Sequence, residues 1–201
     1  MERSKPGSAL PRRLWRRSAP KVADRRMAET VSSLLTAWSS FYVMTGSSAA
    51  ALTGLMFVMI TLLTRMERPE DTHAGISTFS TPTVMHFAAV LLVSAVLLAP
   101  WHSPIHAGVV VALIGLYGVA YILRVMHRAR RLTFYTADLE DWAWYTIMPF
   151  VAYAAISAAA IALAAVPVQA LFILAGGVVL LIFAGIRNAW DVVTYIAIER
   201  R

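Results

Sequence analysis

Forty-five consecutive residues, Trp142 to Ile186, carry no charge. A single helix of that length would extend about 68 Å, more than twice the bilayer's hydrocarbon thickness of about 30 Å. The stretch must therefore cross a membrane twice, folding back near Pro167. The composition agrees: 59% of residues are apolar and only 14% are charged, whereas soluble domains sit near about 45–50% and about 25%.

Five apolar runs are long enough to cross, given the need for about 20 residues per helix. They span about 41–63, 83–100, 105–123, 142–165 and 168–186. Each is solidly apolar rather than alternating, which fits helices and not a barrel. The expected fold is an all-α integral membrane helix bundle with about five transmembrane helices. Pro82 suits the first turn of span two, where a missing N–H costs nothing. Short turns at Pro100–Pro104 and Val166–Val168 make hairpins of spans two–three and four–five. Trp101, Trp142, Trp144, Tyr145 and Trp190 fall near span ends, where amphipathic rings anchor to headgroups.

Charge is distributed unevenly. Nine of the eighteen Lys and Arg lie within residues 1–26, a basic leader expected to be disordered. Residues 27–201 form the transmembrane domain, and there nine basic residues balance nine acidic ones. The net charge of +7 thus belongs to the leader and does not argue for nucleic acid as a partner. Arg65 and Arg68 lie between spans one and two, and Arg124, Arg128, Arg130 and Arg131 between three and four. Arg187, Arg200 and Arg201 follow span five, and the other two turns hold no cation. The positive-inside rule then places these connections and the C-terminus in the cytoplasm, and the N-terminus outside. Nine cations resist translocation, so that sidedness goes with a natural chain beginning at Met27. The Arg-rich connections are expected to meet anionic lipid headgroups.

Gly46, Ala50 and Gly54 recur every four residues in span one. This small-xxx-small pattern lets two backbones approach closely in lipid. It implies packing within the chain or between copies of it, a homo-oligomer. Ser47 and Thr53 are candidates for interhelical hydrogen bonds. Alanines crowd span four, and Gly176, Gly177 and Gly185 interrupt span five.

Chemistry-bearing residues are few. There is no cysteine, which excludes thiolate metal sites and a cysteine nucleophile. His86 and His102 flank one span about 24 Å apart and cannot share a metal. Spans one, four and five hold no histidine, so facing haem ligands are not expected. No phosphate loop, zinc-protease or nucleophile-elbow motif is present. No catalytic residue, metal or cofactor is expected. The candidate polar site is His86, read as a group near the headgroups, with Arg187, Asn188 and Asp191. These last three sit at i, i+1 and i+4 on a C-terminal juxtamembrane helix continuing span five.

The segment Trp38-Ser-Ser-Phe41 through Gly46 and Ala50 to Gly54, with Thr81-Pro-Thr-Val-Met-His86-Phe and Ala99-Pro-Trp101, resembles a widespread group of small uncharacterised bacterial inner-membrane proteins. The similarity runs from about Met27 to Tyr195. It implies a multi-pass protein of the bacterial plasma membrane and brings no activity. The expected function is a non-enzymatic oligomeric scaffold or modulator. The alternative is a small channel or facilitator, with a polar path formed between subunits by Ser47, Ser48, Thr53 and His86. A haem-binding or enzymatic membrane protein is a third, weaker reading.

Overall fold

A computed structural model describes residues 29–64, 70–101, 103–129 and 142–198. Among these the fold is all-α. We number the long helices α1 (Ser39–Thr64), α2 (Glu70–Leu98), α3 (Pro104–Ala129), α4 (Met148–Ala162) and α5 (Pro167–Ile198). Helical residues 29–37 lead into α1 through Trp38, which keeps the flanking backbone bonds to Leu34 and Tyr42. The basic leader, Arg65, Arg68, Arg130, Arg131, Arg200, Arg201 and His102 lie outside the described residues.

Among the described residues, five helices are long and apolar enough to span a membrane: Ser39–Leu62, Thr81–Leu98, Ile105–His127, Ala143–Ala162 and Pro167–Thr194. The chain is a multi-pass membrane protein. Helices α2, α3, α4 and α5 form a four-membered ring in which each packs on its sequence neighbour and α5 closes on α2. Helix α1 stands outside the ring, against α2 and the edge of α5. Only 22% of its apolar window is buried, against 50% for those of α2 and α5, so α1 is the peripheral helix.

Local chemistry sets the ends. Ser103 caps α3: its Oγ accepts the Ile105 N–H at 3.4 Å, and Pro104 fills the first helical position, where no N–H is needed. Trp101 turns back so that its Nε1–H donates to the Val96 carbonyl at 2.6 Å, satisfying a last-turn acceptor of α2. Before α4, Ala143–Ile147 form a π-helical turn in which the Met148 N–H bonds the Ala143 carbonyl. The cause is Pro149, which has no N–H for the carbonyl four residues back and crowds it, so the turn widens.

One expectation needs correcting. Pro82 lies at the start of the apolar window but not in the first turn of its helix; α2 begins at Glu70 and runs through it. A proline removes one helical bond, and the polar turns before it still continue the helix. Beyond span five the chain stays helical, with α5 unbroken from Pro167 to Ile198.

Glycines set the spacing of the ring. A Cβ on Gly108 would lie 2.8 Å from the Ala160 carbonyl oxygen, and Cβ atoms on Gly115 and Gly118 would collide with Ser157 and the Tyr153 ring. One on Gly177 would lie 2.7 Å from Ile156 Cγ1, and one on Gly185 2.5 Å from Phe87. The three α3–α4 pairs run in opposite residue order, and the short turns after α2 and α4 reverse the chain likewise, so neighbouring helices are antiparallel. Gly108→Ala should therefore lower unfolding stability by about 1–3 kcal/mol through overpacking. Gly176→Ala, where the added carbon meets nothing within 4 Å, should raise it by up to about 1 kcal/mol through helix propensity. Unfolding in mixed micelles measures both; equal effects at the two positions would remove glycine contact as the spacing device.

Candidate functional site

The ring buries a small set of polar side chains. Thr83 and His86 of α2 and Asn188 of α5 are fully buried. Tyr153 of α4 and Thr146 of the π-helical turn are nearly so. His86 Nδ1 lies 3.1 Å from the Tyr153 hydroxyl, and that hydroxyl donates to the Met85 carbonyl at 3.5 Å. With the proton on Nδ1, the imidazole donates to Tyr153 and both bonds form together, an assignment made from the network. Nε2 is then a bare acceptor, and it has no partner among the described residues. The pair crosses the ring's diagonal from α2 to α4. Such a bond is worth about 0.6 kcal/mol and seldom above about 1.7 in a membrane.

Asn188 falls in the buried row of α5 with Leu181, Ala184 and Val192. Gly185, one turn earlier, packs on Phe87. Because α5 runs against α2, Asn188 reaches the depth of Thr83, about 4.5 Å of helix beyond the level of His86. The Tyr145 hydroxyl donates to its backbone carbonyl at 3.4 Å, yet both ends of its side-chain amide are buried without a partner.

Thus the structure brings two of the four candidate polar residues, His86 and Asn188, into the bundle interior. His86 is enclosed by the bundle, five residues inside the Thr81 edge of its apolar window. Arg187 and Asp191 pair with each other on a partly exposed flank of α5. The four do not share one face, because successive helical residues are about 100° apart and Asn188 turns inward where Arg187 does not.

The small-residue stripe also divides. Gly46 is buried, and a Cβ there would lie 2.9 Å from Ser94 Cβ. Ala50 and Gly54 are exposed, and nothing lies within 4 Å of a Cβ built on Gly54. Thr53 bonds back to the Ala49 carbonyl of its own helix, and the interhelical bond is instead Thr45 to Ser94, 3.3 Å. Ser47 and Ser48 face outward, where subunits would meet, while His86 is enclosed within the chain and does not join them there.

Sequence reasoning missed Tyr153, which sits in an alanine run. Its signal was being the lone aromatic polar group in mid-span, as His86 is in its own span. What the arrangement supplies is an interior with unspent hydrogen-bonding capacity at one end of an apolar ring. Fold and site together define a multi-pass α-helical membrane protein with a partly unsatisfied polar core. Compared with protein-family models, curated proteins and solved structures, the chain matches none.

A buried amide without partners costs about 1–3 kcal/mol. Asn188→Leu should therefore leave folding stability unchanged or raise it, whereas Tyr153→Phe should lower it by about 0.6 kcal/mol. Reversible unfolding in micelles gives both signs. A loss above about 1 kcal/mol for Asn188→Leu would mean that the amide is structurally paired.

Proposed function

We propose that the chain is a non-enzymatic scaffold of a bacterial plasma membrane that associates with further copies of itself through α1. The observation that carries this reading is the uncovered half of the small-residue stripe. In lipid, helices associate through van der Waals contact, and small residues permit the closest approach. Gly46 serves that purpose inside the chain, against Ser94. Ala50 and Gly54 continue the same row onto an exposed face of the least buried helix. A second copy meeting that face would find its backbone open.

The sidedness we propose follows from the cations. The end of the bundle carrying Arg124 and Arg187 faces the cytoplasm and its anionic headgroups, and the turns at 99–103 and 163–166 face outward. The resemblance of Trp38–Gly54 and Thr81–Phe87 to bacterial inner-membrane proteins supports the choice of membrane.

Gly54→Leu should lower the dimer population at least about tenfold without destabilising the single chain. Gly46→Leu should instead damage the fold at Ser94. Native mass spectrometry over a dilution series reads the first; a wild type that is monomeric at every concentration sinks the scaffold. Sidedness is read on a chain that lacks cysteine of its own. A membrane-impermeant maleimide should label Ser103→Cys in intact cells and Ala129→Cys only after permeabilisation. The reverse pattern overturns the orientation.

A further inference from the structure

One seam of the ring is open. Helices α2 and α3 touch far less than the other neighbours do. Between them lies a crevice of about 330 Å³, within the range of ligand pockets. Its walls are apolar: Ala88 and Leu92 on α2, Leu113, Tyr117 and Tyr121 on α3. Its floor is Tyr153, whose ring lies over Gly118 and whose hydroxyl is held by His86.

Position decides what can enter. The crevice falls inside the apolar windows Thr81–Leu98 and Ile105–His127. Ala88, Leu92, Leu113 and Tyr117 are exposed along its rim, so it opens sideways onto acyl chains and not onto water. Apolar walls of this kind do not retain water. Along α3 the lining residues extend from Leu113 to Tyr121, about 12 Å of helix, long enough for part of an extended hydrocarbon chain.

The same row of α3 then changes character. From Tyr117 to Tyr121 is four residues, and from Tyr121 to Arg124 three, so all three share one face. Arg124 is exposed and lies about 4.5 Å of helix beyond the end of the crevice. It stands three residues inside the apolar window's edge at His127, where a long cationic side chain reaches up to the headgroup layer. A guanidinium fork matches phosphate oxygens in two-point contact.

We propose that this crevice is a binding site for one anionic phospholipid, with an acyl chain between α2 and α3 over Tyr153 and its phosphate on Arg124. His86 acts as a positioning residue that fixes the floor. The proposal rests on the basic end of the bundle facing anionic headgroups; it is independent of self-association through α1.

The test uses the full chain in nanodiscs containing phosphatidylglycerol or phosphatidylcholine, each carrying a photoactivatable acyl chain. With phosphatidylglycerol, label should saturate at one lipid per chain on peptides containing Leu92 and Tyr117. Ala88→Trp and Leu113→Trp, which narrow the crevice from opposite walls at exposed positions, should each cut that label about tenfold. Unchanged helicity and monodispersity show that both variants fold. Arg124→Gln should bring the preference for phosphatidylglycerol close to one. Wild-type labelling that both tryptophan variants retain, or that spreads evenly to the lipid-facing Phe57 and Phe183, overturns the crevice even where the anionic preference persists. Equal wild-type labelling from the two lipids overturns the anionic reading, and the phospholipid site with it.

Discussion

Lipid tails are as apolar as leucine, so burying a leucine between two transmembrane helices gains little. What holds this bundle is how near its backbones come. Helix α3 presents Gly108, Gly115 and Gly118 to α4, which answers with Ala160, Ser157 and the flat of Tyr153. Dispersion contacts are individually small and add up only where atoms are close. Where a seam has such a row the helices meet. Where α2 offers Met85 and Leu92 to α3, the seam stays open and leaves the crevice. Close packing and its local failure are one mechanism seen at two places.

The spans were legible because the bilayer imposes a length, and an uncharged run such as Trp142–Ile186 cannot meet it in fewer than two crossings. The turns were legible because Pro100, Pro104 and Pro167 restrict the backbone whatever surrounds them. The pairing of helices was not legible. Glycines of α3 look like those of α5 in the sequence, yet a Cβ on Gly108 would meet a carbonyl and one on Gly176 would meet nothing within 4 Å. That difference depends on which neighbour arrives and at what register, and no local pattern encodes either. The candidate polar residues show the same divide. His86 and Asn188 stood out as rare groups in or beside apolar runs. Their separation from Arg187 and Asp191 is a matter of helix rotation relative to α2 and α4. Pro82 misled because a proline is a good helix opener, and here the helix was already under way.

Polarity inside the ring is not explained by stability. The Thr45–Ser94 and His86–Tyr153 contacts offset part of the desolvation of their groups. The Asn188 amide and His86 Nε2 are buried with nothing in return. A bundle selected for stability alone would carry leucine at 188, in line with Leu181 and Leu174. Uncompensated polar groups in a membrane interior are expensive, which makes them functional candidates by default.

The two ends of the bundle differ in what constrains them. At one, Trp38 packs edge-on against Phe172 with ring centres 4.8 Å apart, Trp101 caps α2, and two tight turns tie α2 to α3 and α4 to α5. At the other lie Thr83, Asn188, the π-helical turn and Arg124. Tyr153 lies between these ends and belongs at once to the polar pair and to the floor of the crevice. A guest against its ring would therefore press on the bond to His86 of α2. Helix α2 carries His86 and is also the main support of α1, so the Tyr153–His86 pair and the peripheral helix share one element.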